Sequence, residues 1–416
     1  MDRYCGAFED KKYIKTLKAG IMIPLCGLFV SSFLPVNVSI LSWTASLISL
    51  LLLAGRYGNR YRRDVLEVGL ISIIFQLVSV LAFNSHLLDS ANSLGTNANL
   101  FSWLLYVLIL GAAATGRHRL TGEGIDEIMH FLLNRICVTA AVVLVMDLKK
   151  LPAVLSGSFN SYTAAMWGFF PNKNMFGMVC ALGIVAGSYC IFTKKQLKPS
   201  AWKCAFLLLM LVLSFSRAAW LFAAVFIASF FLQMLRAKSR KARIITRRLF
   251  LVFVFAAGIV LVTVLGSTGL RNMVMTNFLR LDIGDAGRSS IQQTLLSEFK
   301  SRGAAAAVFG IGYSEYSFLC SIDVHNGYLY TLVTGGVLKL AALFILILFS
   351  IKTNRRCGNA LIRHCGTGTL TAYLVLSLFE TYEPFEVGFA NMILFFFILL
   401  FPMLQRGNEG SRFMPE

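Results

Sequence analysis

The sequence predicts an all-α polytopic membrane protein with about twelve transmembrane helices, and three observations carry that expectation. Of 416 residues, 57% are hydrophobic and only 14% charged, a composition that excludes a soluble globule. The apolar residues gather into runs of the length that crosses a bilayer core as a helix, about 20 residues. The basic residues alternate strongly from one connecting segment to the next.

The apolar runs fall near 19–35, 37–55, 65–84, 98–115, 128–148, 175–192, 201–215, 218–235, 248–267, 328–351, 367–381 and 387–405. In lipid each run has to satisfy its own backbone N–H and C=O groups, which a helix does within itself. The first run has the basic flank of a signal sequence. SSFLPVN follows it in place of a small-x-small cleavage site, so a retained first helix is expected. Residues 1–416 therefore read as a single polytopic domain.

Lys and Arg total 39 against 20 acidic residues, for a net charge of +19. Of these, 28 lie on seven alternate segments: the N-terminal tail, 56–63, 117–119, 194–203, 236–248, 352–363 and the C-terminal tail. Cytoplasmic loops carry the Lys and Arg excess, so these segments and both termini are expected inside. The run RAKSRKARIITRR (236–248) lies between two spans and orients the chain; it does not mark a nucleic-acid partner. Anionic membrane lipids would be drawn to the same residues. Of nine cysteines only Cys320 falls in an external segment, which speaks against a disulfide framework. Cys357 and Cys365, with one nearby His364, do not have metal-site spacing.

Six external segments follow from this topology. Those at 35–37, 85–97, 214–218 and 382–386 are short or weakly charged, and 149–174 carries aromatics suited to the headgroup level. The sixth, about 268–327, is long. Within it, residues 288–309 read as an amphipathic helix: Ile291, Leu295, Leu296 and Phe299 form one apolar stripe, and Gly303 and Gly310 interrupt or follow it. Such a helix is either a lid on the outer membrane surface or an ordinary amphipathic connector.

Only nine of the 39 basic residues fall outside, and Arg217 is the most unusual of them. It occupies SFSRAAW (214–220), a turn between two apolar spans, where a cation either snorkels or is aimed at an anion. Arg288 follows Asp282, Asp285 and Gly287 at the start of the amphipathic helix. There it would add a bidentate phosphate fork to free helix N–H groups, or simply pair with Asp285 at the surface. His325 is the one side chain in the long loop with an ordinary pKa near neutrality, the natural general base on that face. Its neighbour Asn326 would equally serve to cap the next helix. Lys339 and Glu380 lie inside apolar runs and are expected to face protein or water.

Four pieces in this order resemble the O-antigen ligase and polysaccharide polymerase family of bacterial membrane glycosyltransferases. They are FFPNKNMFG (169–177), in which Asn174 starts a span; SFSRAAW; the Gly287-Arg288 pair in a long external loop; and GIGYSEY (310–316) followed by HNGYLYTLVTGG (325–336). The resemblance covers roughly 165–351. Family members often carry a tryptophan shortly after the loop arginine, where this chain has Ser289, Ser290, Ile291 and Gln292.

The resemblance implies a GT-C-like fold in the bacterial cytoplasmic membrane, acting at its outer face on glycans carried by undecaprenyl diphosphate. It implies a glycan or lipid acceptor, chain-length regulator or flippase proteins as partners, and neither cofactor nor metal. Arg217 and Arg288 would stabilise the diphosphate leaving group and His325 would take the acceptor's proton. Asn174, Tyr313, Asn326 and Tyr328 would hydrogen-bond sugar or phosphate. A polymerase is slightly preferred over a ligase that delivers the glycan to lipid A core or another acceptor. A lipid-linked glycan flippase is the alternative from another class; against it stand the absence of an obvious repeat and the gathering of unusual residues at one face.

Overall fold

The computed structural model describes residues 2–31, 122–156, 164–193, 197–251 (without 238, 241 and 249), 288–312, 324–382 and 389–403, with 45, 262, 266 and 316 as single positions. Among these residues the chain is mostly helical and forms no β-strand. The helices are α1 (Asp2–Ser31), α2 (Gly122–Met146), α3 (Leu151–Ser156), α4 (Lys173–Ile191), α5 (Leu197–Leu213) and α6 (Arg217–Leu235). They continue with α7 (Arg288–Ser301), α8 (Gly303–Phe309), α9 (Gly327–Arg356), α10 (Ala360–Leu376) and α11 (Phe389–Phe395). A π-helical turn (Phe396–Leu400) then leads into the single turn α12 (Phe401–Met403).

Helices α2, α4, α6 and α9 are long and apolar enough to cross a membrane, which makes this an α-helical membrane protein. They coincide with the apolar runs at 128–148, 175–192, 218–235 and 328–351, and α5 with that at 201–215. The run at 367–381 is helical only to Leu376, and α10 begins before it, at Ala360. The runs at 37–55, 65–84, 98–115 and most of 248–267 lie outside the described residues.

The described residues divide into two compact units. One holds α1, α7, α8, α9 and the stretches 373–382 and 389–403; the other holds α2 from Asp126, α3 to α6, and 359–372. In the second unit α4 is the central element, and glycines explain how it sits there. A Cβ at Gly177 would lie 2.7 Å from Ser216 Cβ, and one at Gly183 would lie 2.7 Å from Leu207 and 2.8 Å from Ile136. One at Gly187 would collide with Cys204 Sγ. Lipid tails are as apolar as leucine, so helices in a membrane associate through close packing, and small residues allow it. Along α6, Phe222, Phe226 and Phe230 recur at every fourth position and are buried, while Leu232 points outward. Val138, Val145, Leu209 and Val212 are likewise exposed, an apolar exterior appropriate to lipid.

In the first unit the amphipathic segment is two helices, not one: α7 ends at Ser301 and α8 starts at Gly303, whose φ is +79°. Leu295 and Phe299 of the apolar stripe are buried with Ala306, Ile311, Tyr316, Val324, Tyr330 and Val333. Half of the stripe is thus packed on protein, while Ile291 and Leu296 stay partly exposed.

Helix α9 is broken at Gly336 (φ 67°, ψ −169°). There Gly310 (φ 84°) meets it backbone to backbone: a Cβ at either glycine would strike the other segment, at Thr334 and Gly335 or at Val308 and Gly310. Both positions require the left-handed freedom and close approach that glycine alone provides. Ile311 N–H donates to the Val333 carbonyl at 2.8 Å, using an acceptor that lies at the break. The GIG and TGG pieces of the sequence are therefore two halves of one contact.

Candidate functional site

His325 is held in place by its neighbours. The Val324 carbonyl accepts from Gln292 Nε2 of α7 at 3.1 Å, and Val324 N–H donates to Tyr316 Oη at 3.0 Å. On the other side Asn326 caps α9, its side-chain oxygen accepting from Leu329 N–H at 3.0 Å. Between these fixed points His325 adopts φ 50°, the left-handed region that non-glycine residues seldom occupy. Its Nδ1 lies 3.2 Å from Glu380 Oε2.

Glu380 follows the last turn of α10, where its N–H donates to the Leu376 carbonyl at 2.9 Å. Two further bonds tie this segment to the start of α9: Gly327 N–H to the Ser377 carbonyl at 2.8 Å, and Tyr328 Oη to the Leu374 carbonyl at 3.0 Å. The imidazole side chain is 22% exposed and the carboxylate 12%, so the pair is reachable yet mostly out of bulk water. Just beyond the break, Lys339 is buried; it donates to Thr334 Oγ1 at 3.2 Å and lies 5.6 Å from the Tyr330 ring centre. It faces protein, as a charge within an apolar run should.

In the other unit the SFSRAAW turn supplies a second set. Ser214 and Ser216 are buried, and Phe215 between them takes φ 51°. Ser216 caps α6, its Oγ accepting from Ala219 N–H at 3.3 Å and donating to Asn174 Oδ1 at 3.0 Å. Trp220 Nε1 donates to the Leu211 carbonyl at 2.7 Å. Arg217 is the first residue of α6 and is exposed. Helix α4 starts at Lys173, so the Ser216–Asn174 bond joins two helix N-termini, each opening with a cation. A cation in a first turn opposes the helix dipole at a cost of about 0.3–1 kcal/mol. This is a poor arrangement for stability and a good one for attracting an anion.

The residues expected from the sequence are therefore distributed as follows. His325, Asn326, Tyr328 and the backbone of Arg288, which opens α7, belong to the first unit. Asn174 and Arg217 belong to the second. Asn326 and Tyr328 carry the structural bonds above. The cap of α4 is Asn172, which accepts from Met175 N–H at 2.8 Å, so Asn174 sits inside the first turn instead of starting it. Tyr313 lies outside the described residues, as do Asp282 and Asp285.

Lys150, expected from the sequence to lie outside, is engaged locally. It forms an ion pair with Asp147 at 2.9 Å, donates to the Ala165 carbonyl at 2.9 Å and lies over the Trp167 ring. Asp147 also accepts from the Trp167 and Gly168 N–H groups at 2.8 Å each, fixing the loop that leads into α4. Sequence reasoning missed Glu380 as the partner of His325. The signal in the sequence is a carboxylate near the end of an apolar run, which has to face protein or water. No protein-family model matches the chain, and no curated protein is similar to it.

Proposed function

We propose that the chain is a membrane glycosyltransferase that polymerises or transfers a glycan from an undecaprenyl-diphosphate-linked donor at the outer face of a bacterial cytoplasmic membrane. In this reading the protein has about twelve spans in a GT-C-like arrangement, and both termini are inside. The acceptor hydroxyl attacks the sugar C1. The new C1–O bond forms from the oxygen lone pair, and the proton passes to His325. The C1–O bond to diphosphate breaks with its electron pair on the leaving polyprenyl diphosphate. One displacement inverts the anomeric centre.

The observation that carries the reading is His325 itself. It is a partly exposed imidazole, held in a strained backbone conformation at the mouth of a long apolar helix. Strain of this kind costs on the order of 1–3 kcal/mol and tends to persist where a side chain is needed in one orientation. Arg217 supports it: a cation placed against the helix dipole, beside a second helix N-terminus, suits the charge that develops on a departing diphosphate. Arg288 takes the matching role at the start of α7.

Polymerase and ligase share this chemistry and differ in the acceptor, and polymerase is the reading preferred. The test is glycan extension in a deletion strain complemented with variants. Arg217→Ala and His325→Ala are each expected to abolish extension or transfer at normal protein level. Full activity in both would sink the site. Transbilayer movement of the lipid-linked glycan in proteoliposomes, with no glycosidic bond formed, would favour a flippase.

A further inference from the structure

We propose that Glu380 is the positioning residue for His325, an inference that rests on the reading of His325 as the base. The Glu380 carboxylate accepts a hydrogen bond from Nδ1–H across the observed 3.2 Å. A hydrogen on Nδ1 places the imidazole lone pair on Nε2, the nitrogen that takes the acceptor's proton. As the acceptor O–H bond breaks and its oxygen bonds to C1, the ring becomes an imidazolium. The adjacent carboxylate stabilises that charge without itself being protonated.

Three features argue for a built pair over a chance contact. The two residues are 55 positions apart, yet the segments that carry them are bonded together beside both. Gly327, two residues after His325, donates to Ser377, three before Glu380, and Tyr328 reaches the Leu374 carbonyl. Gly327 permits the approach, since a Cβ there would lie 3.2 Å from the Glu380 carbonyl and 3.4 Å from the Ser377 side chain. Finally, a carboxylate in the last part of an apolar run is costly unless it is paired, and the group it meets is the His325 imidazole.

A purely structural tie between loop and helix predicts something different from a positioning carboxylate, and substitutions separate them. Glu380→Gln keeps an oxygen that accepts from Nδ1–H but removes the charge. Glu380→Asp keeps the charge on a shorter arm. The measurement uses the purified full-length protein in proteoliposomes. The donor is the undecaprenyl-diphosphate-linked glycan extracted from a deletion strain, and turnover and half-saturation are recorded separately.

Glu380→Gln is expected to lower kcat by between ~10-fold and ~10⁴-fold, the latter being the loss when a triad carboxylate becomes an amide. KM should change little, and Glu380→Asp should retain more turnover than Glu380→Gln. The double variant His325→Ala/Glu380→Gln should be no slower than His325→Ala alone, because a positioning group has nothing left to position. Wild-type turnover in Glu380→Gln, additive losses in the double variant, or Glu380→Asp slower than Glu380→Gln would each overturn the inference. Those outcomes differ from failure of the underlying reading, which would appear as wild-type turnover in His325→Ala.

Discussion

The Ser214–Ser216 turn and the Val324–Asn326 segment are built on the same backbone device and put it to different uses. Each precedes a long apolar helix, each ends in a capping side chain, and each holds a non-glycine residue in the left-handed region, Phe215 at φ 51° and His325 at φ 50°. Phe215 is 4% exposed, so burial of its ring offsets the strain. His325 has no such compensation: its side chain is 22% exposed and meets a carboxylate. A strained residue that is buried and apolar reports on packing. One that is strained, polar and within reach of solvent is a candidate for chemistry.

The comparison can be broken most directly by putting asparagine at both positions, since asparagine tolerates the left-handed region. His325→Asn is expected to leave thermal unfolding in detergent nearly unchanged while lowering glycan transfer by at least ~10²-fold, the usual contribution of a general base. Phe215→Asn is expected to cost about 3 kcal/mol, because an aromatic ring is replaced by a buried amide. If the stability losses came out equal, the two turns would not differ in the way described.

A smaller effect tests the cap within the Arg217 turn. Ser216→Ala removes the oxygen that serves both Ala219 N–H and Asn174, and should lower stability by about 1.5 kcal/mol. It should also weaken activity modestly if the two helix N-termini act as one anion site.

The smallest expected effect sharpens the contrast between histidines. His364 lies outside the spans read from the sequence, and its Nδ1 is 2.9 Å from the neutral amide oxygen of Gln233. Burial, with Arg363 adding to it, lowers its pKa to about 4. An unfolded chain would bind a proton there near pH 6.5, while the folded protein resists until about pH 4. Stability from this group is therefore intact above pH 6.5 and falls as pH drops through that window, by about 1 kcal/mol at pH 5 once partial solvent exposure is allowed for. His364→Leu should flatten that part of the unfolding profile. An unchanged slope would show that His364 is not held neutral.

Hydrophobic runs made several helices of the fold legible, because a span advertises itself by length and composition. The stripe Ile291, Leu295, Leu296 and Phe299 likewise announced a helix, but periodicity says nothing about what the stripe meets, and the structure supplies Val324 and Val333. The break at Gly336 was hidden for a related reason: glycine is common in membrane helices, so TGG inside an apolar run reads as continuous helix. At the site, Ser216 and Asn326 each cap a helix through the N–H three residues on, and such caps can be read from sequence. Glu380 acts across 55 residues, and only the fold brings it to His325.

The break in α9 also divides that helix by length. Val337–Arg356, 20 residues, measure ~30 Å at the rise of an α-helix, about the thickness of a hydrocarbon core. Gly327–Gly335 add nine residues, ~13 Å, before the break. Lys339 lies near the middle of the whole helix but is only the third residue after the break. On the proposed function, a crossing carried by the longer part alone would leave His325 beyond the lipid tails, at the depth where a membrane-borne diphosphate lies.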